Sequence, residues 1–173
     1  MKREKVINDN TRKRVMHNPP FDIIKRNINI TEGKIELEKI FKGIKNKAED
    51  LGYLFFEKEQ SSGSKKYGEE RIFKFYMERE IDPFGKIEIK IEFNFDRLEK
   101  VKNKFIGDGV VDFTTSIRYD YKNKWGKSKF DMFLYNLYRK VMKWKFETMY
   151  IIPGIIEGNQ IYGYIKDELE EYS

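Results

Sequence analysis

Three sets of residues in this chain have types that can do chemistry. The first is His17, the one histidine. An imidazole is the natural general base near neutral pH, but it needs a nucleophile and an orienting acid within reach. His17 stands beside Asn18, Pro19 and Pro20, with neither nearby in sequence. It reads as a loop residue. The second set is Gly126-Lys127-Ser128, which follows an alternating segment and opens a helical one. Those are the closing positions of a phosphate-binding loop, whose earlier glycine would fall at position 121. That position is Tyr121, so the triplet reads as a turn leading into a helix cap. The third set is the carboxylates. Glu88 and Glu92 alternate with Lys86 and Lys90, and Asp112 and Asp120 flank Thr114, Ser116 and Arg118. A metal cluster or an acid–base pair needs carboxylates gathered without compensating cations. Mixed signs at this spacing predict cross-strand ion pairs on a wet sheet face. No residue is therefore assigned a catalytic or metal-binding role, no cofactor is expected, and the chain reads as a non-enzyme.

The elements that would position these groups follow from hydrophobic period. Residues 1–29 have no apolar period, and Asn18-Pro19-Pro20 blocks a helix, so they read as a basic extended arm. Residues 30–173 read as one α+β domain. Thr31 is the candidate cap of a helix over 33–51, with Leu37, Ile40, Phe41, Ile44, Ala48 and Leu51 on one face and Gly52 closing it. Four strands follow, at 53–60, 71–81, 86–96 and 110–121. The third puts Ile87, Ile89, Ile91, Phe93 and Phe95 on one side, and the period of two predicts an antiparallel sheet with one buried face. A long helix over 128–151 starts at a capping box of Ser128 and Asp131. It ends at Pro153-Gly154, and a shorter helix follows at 160–171. The expected fold is a two-layer sandwich: a four-stranded antiparallel meander covered on one face by the first helix and the long one.

The long helix carries a stripe of Phe130, Phe133, Leu134, Leu137, Val141, Trp144 and Ile151, all within about 60° of the Phe130 direction on the helical wheel at 100° per residue. The stripe is the expected lid of the sheet. Lys129, Arg139, Lys140 and Lys143 gather on the opposite side as a cationic ridge, almost uninterrupted by acid.

The 173 residues are enough for one domain with a substantial core. Charged residues are 37% of the chain, and 16% aromatics provide ample burial, which excludes a disordered chain. The absence of cysteine excludes disulfides and thiolate metal sites and suits a cytoplasmic setting. The start, MKREKV, lacks the apolar run of a secretory signal, and YIIPGII is too short to span a bilayer. The net charge of +6 is uneven, because residues 1–30 alone hold eight Lys and Arg against three Asp and Glu. Lys2, Arg3, Lys5, Arg12, Lys13, Arg14, Lys25 and Arg26 make the N-terminal arm the main positive feature.

The run from an alternating strand through W-G-x-S-x-F into FLYNLYRK and a Tyr-rich acidic helix resembles small archaeal α+β proteins of uncharacterised function, over about residues 33–172. That resemblance implies an archaeal cytosolic protein and no reaction. At fold level the order of elements is similar to helix-grip domains, which hold hydrophobic ligands between sheet and helix. The expected function is non-catalytic binding of RNA or ribonucleoprotein, ribosomal RNA included, through the arm and the cationic ridge. A ligand-binding helix-grip protein and an assembly protein whose arm grips a neighbouring subunit are the alternatives. Membrane-surface attachment ranks below them, because the sheet is expected to claim the apolar face of the long helix.

Overall fold

The computed structural model describes residues 19–65, 68–101, 104–122, 124–125 and 128–170. His17, Gly126, Lys127 and the arm residues Lys2, Arg3, Lys5, Arg12, Lys13 and Arg14 lie outside them. The element order is β1 (Phe21–Ile35), α1 (Leu37–Asp50), β2 (Leu54–Lys65), β3 (Gly68–Glu80), β4 (Gly85–Val101) and β5 (Lys104–Tyr119), then α2 (Lys129–Val141), α3 (Lys143–Phe146), a π-helical turn (Glu147–Ile151) and α4 (Ile152–Glu170). The α+β class and the antiparallel sheet are as expected. The sheet has five strands in the order β1-β5-β4-β3-β2, every pair antiparallel.

The four expected strands are β2 to β5, and their alternation determines the buried face. Phe73, Phe75 and Met77 of β3, Ile87, Ile89, Ile91, Phe93 and Phe95 of β4, and Val111, Phe113 and Ile117 of β5 are all buried. The fifth strand comes from the segment read as arm and helix start. Residues 21–29 are a strand paired to β5. Thr31 lies within β1 and caps nothing, and α1 starts at Leu37 behind Glu36, which makes no side-chain cap. The cause is visible in the register. Shifts between Asp22 and Ile24 and between Ile30 and Gly33 interrupt the period of two, with Glu32 at a positive φ of 51°. Gly52 closes α1 in the left-handed region, φ 78°, as its position predicts.

The cover of the sheet differs from the expectation. It consists of α1 and α4, not of α1 and the helix at 128–151. Ile161, Ile165 and Leu169 of α4 join Leu37, Ile40, Ile44 and Ala48 of α1 in the main core. Pro153 does not terminate a helix. It sits in the first turn of α4, where a missing N–H is tolerated, directly after the wider π-helical turn. The weak helix expected at 160–171 is thus the C-terminal part of the principal lid. Gly158 permits that packing, since a Cβ there would lie 2.5 Å from the Thr115 hydroxyl oxygen. Glu157 fastens the lid, accepting from the Tyr53 hydroxyl at 2.7 Å and from Arg79 on β3. Between the layers the ring of Phe41 lies 4.9 Å from Phe73, 4.8 Å from Phe75 and 5.3 Å from Phe93. Tyr162 of α4 lies 5.5 Å from Phe113. Aromatic side chains thus occupy the space between the sheet and its helical cover.

Candidate functional site

A second, smaller core holds α2 and α3 against one end of the sheet. Ile117, Tyr119, Phe146 and Tyr150 are its buried members, with Phe84, Tyr138 and Met142 packed around them. The chain reaches it through Asp120, a buried residue at φ 49° whose carboxylate accepts from the backbone N–H of Lys124 at 2.7 Å and of Trp125 at 3.0 Å. Trp125 then stacks on Tyr138 with ring centroids 6.2 Å apart. The helix begins as the sequence predicts. The Ser128 hydroxyl accepts from the Asp131 N–H, and the Asp131 carboxylate accepts from the Ser128 N–H, each at 3.0 Å.

The orientation of α2 is the principal correction. Phe130 is 67% exposed, Phe133 61%, Leu137 46%, Val141 66% and Trp144 65%. The predicted lid stripe therefore faces outward, with Leu134 and Ile151 half-buried. The face turned to the protein is the flank of Tyr135, Tyr138, Met142 and Phe146. Phe84, in the β3–β4 turn, is its anchor, with its ring 6.0 Å from Tyr135 and 5.8 Å from both Tyr138 and Phe146. Hydropathy favours the greasier stripe, but α1 and α4 already cover the sheet.

The predicted cations divide into groups. Arg139 faces the small core, its guanidinium carbon 5.8 Å from the Tyr119 ring centroid and 5.7 Å from that of Tyr135. Burial pushes the Tyr119 hydroxyl up to about 12, and the charge of Arg139 opposes that rise. Lys143 is exposed, with Nζ 3.8 Å from the Glu147 carboxylate one turn on. Lys129 and Lys140 are exposed and lie along one edge of the apolar stripe. Neither makes an ion pair with another described residue. On β1, Lys25 is exposed and stands opposite Thr114, while Arg26 lies over the Tyr162 ring at 4.9 Å, on the helix side. The predicted residues thus do not form one continuous ridge.

One groove does bring two of them together with the N-terminal end of the sheet. It encloses about 210 Å³ and is lined by Phe21, Tyr119, Arg139, Lys143, Phe146, Glu147 and Ile151. Phe21 is the first residue of β1, so the chain leading to the basic N-terminal residues meets the sheet beside Arg139 and Lys143.

The open face of the sheet carries the cross-strand pairs that the mixed charges predict. Glu88 accepts from Arg118 Nε at 2.7 Å and from Lys86 Nζ at 3.0 Å, and Lys86 also reaches Glu78 at 2.6 Å. Glu88 is fully buried under these partners, where the sequence predicts a wet face. Burial pushes its carboxyl up, but the hydrogen bonds from Arg118, Lys86 and Tyr76 outweigh that and hold it below the ordinary value. Alongside runs a row that sequence reading missed, Phe56–Tyr76–Lys90–Thr114–Lys25 across all five strands. Phe56 is 42% exposed, its ring centroid lies 6.1 Å from that of Tyr76, and Lys58 sits 4.3 Å over the Tyr76 ring. The signal was in register, since these residues meet only once the strands are aligned. Among the described residues no three His, Asp or Glu side chains gather as a metal site.

Comparisons of the chain with known protein families, with curated proteins and with solved structures find no significant match. The functional reading therefore rests on the site itself.

Proposed function

We propose that this chain is a non-catalytic binding protein for RNA or ribonucleoprotein, engaging phosphate with its basic N-terminal residues and with the cations beside the Phe21 groove. The observation that carries this reading is that groove. It sets Arg139 and Lys143 next to the point where a segment with six basic and two acidic residues, residues 1–20, enters the sheet. Phosphate recognition asks for clustered Lys and Arg held on a rigid frame, and here β1 and the small aromatic core supply the frame. Lys129 and Lys140, exposed on the neighbouring helix, extend the positive field.

The test is binding of a structured RNA measured over a range of salt. Affinity is expected to fall steeply from low to moderate salt, because each phosphate contact releases counterions. Replacing Arg139 and Lys143 by Gln lowers the salt slope by about one for each contact removed, and deleting residues 1–18 lowers it further. Binding that ignores salt, or that both changes leave untouched, overturns the reading.

A further inference from the structure

Phosphate contact accounts for the cations near the groove and leaves the apolar face of α2 unexplained. Phe130, Phe133, Leu137, Val141 and Trp144 expose between 46% and 67% of their surface along about 16 residues of helix. Exposed apolar residues scattered singly are ordinary, but a contiguous stripe of large ones marks a contact surface. Exposure continues along the chain at Ile152, Ile155 and Ile156. From this geometry we infer that α2 and α3 lie on an anionic lipid surface, with the stripe inserted at the headgroup boundary and the lysines on the phosphates.

Three observations favour lipid over other occupants. First, the stripe is on the convex outer side of a helix, not in a groove. An interfacial helix has this form, with Trp, Phe and Leu on one face and Lys beside them. Second, the charge bordering the stripe along α2 is mostly of one sign. Lys129 and Lys140 lie on one edge, the one acid of α2, Asp131, is held in the capping box, and the next acid, Glu147, lies 3.8 Å from Lys143. That pattern complements anionic headgroups. Third, it works against self-association. Two copies packed stripe to stripe in antiparallel fashion would bring the Lys129–Lys140 edge of one helix against the same edge of the other. No described helix is long and apolar enough to cross a bilayer, so the contact is in the plane of the surface.

The experiment is cosedimentation of the full chain with vesicles of mixed phosphatidylglycerol and phosphatidylcholine, and with vesicles of phosphatidylcholine alone. Binding to the mixed vesicles, weak binding to the neutral ones, and a blue shift of tryptophan emission on binding are expected. Phe133→Ser and Trp144→Ser each weaken vesicle binding about tenfold, given the apolar area that each inserts. Lys129→Gln with Lys140→Gln weakens binding to the mixed vesicles alone. All these side chains are outside both cores, so the variants keep the parent's thermal transition. Equal binding to both vesicle types, or none to either, overturns the inference. So does a concentration-dependent dimer that Phe133→Ser dissolves, since the stripe would then belong to a second copy. Salt-sensitive RNA binding that survives Phe133→Ser separates this surface from the phosphate-binding one, and loss of RNA binding in that variant merges the two and overturns the lipid assignment.

Discussion

The Tyr150 hydroxyl donates to the Asp82 carboxylate at 2.6 Å, and that one bond joins the turn between β3 and β4 to the π-helical turn that precedes the lid. Asp82 also accepts from the backbone N–H groups of Phe84 and Gly85, each at 2.8 Å. The same side chain therefore shapes the turn that presents Phe84 and fastens the π-helical turn that follows the helices Phe84 anchors. Tyr150→Phe is expected to cost about 1–2 kcal/mol, because it leaves a partly buried carboxylate short of a donor. Denaturant unfolding of the variant measures it, and an unchanged midpoint would count against this role.

Acid should loosen the same joint. Burial pushes the Asp82 carboxyl up, but the Tyr150 hydroxyl and the two backbone N–H groups outweigh it, and the net value lies below the ordinary 3.8. Glu78 and Glu88 are held below their ordinary 4.5 by Lys86, Arg118 and Tyr76 against the same opposing effect of burial. As pH falls through the ordinary carboxylate range, the unfolded chain takes up protons before the folded one. The stabilisation is thus complete above that range and is lost as pH drops through the lowered values. Thermal melts should be flat with pH above about 5 and decline below it. Tyr150→Phe should reduce the decline.

Glu88→Gln tests the buried centre of the open face. It leaves Arg118 and Lys86 facing an amide and is expected to cost roughly 2–4 kcal/mol. Restoring balance with Arg118→Met should recover part of that loss, which a double-mutant cycle reads directly.

The two faces of α2 give opposite predictions. Leu137→Ser and Val141→Ser should change stability by no more than about 0.5 kcal/mol, since both side chains are exposed. Phe146→Ala, on the buried flank, should cost about 3 kcal/mol or more. A large loss at Leu137 would show that the stripe is covered in the isolated chain.

Tryptophan accessibility gives a further check. Trp144 is 65% exposed, whereas Trp125 is half-buried and stacked on Tyr138. In Trp125→Phe the remaining emission should be red-shifted and readily quenched by acrylamide. In Trp144→Phe it should be bluer and better protected.

The sheet interior was legible because strict alternation along 86–96 and 110–119 leaves one choice of buried face. β1 was not, because its register shifts break the alternation that sequence reading depends on. The cap at Ser128 was legible because both partners lie within four residues. The facing of α2 was not, for a different reason. Its wheel holds two aromatic-rich flanks, and the one that packs is the more polar, built on tyrosines that surround Phe84. Which flank turns inward depends on whether another element has already covered the sheet, and α4 has. The groove at Phe21 was illegible for the same kind of reason, since it joins residues more than a hundred positions apart.

The pairing of β1 with β5 also has a consequence for biosynthesis. Phe21 stands opposite Ile117, so β1, made before the other described strands, finds its partner only after β2, β3, β4 and β5 have been made. Until then Ile24, Ile30 and Ile35 have no sheet to join. At about 5–20 residues per second, that interval lasts several seconds. The nascent chain must pass it with β1 unpaired, and this topology makes the final closure a long-range and slow step.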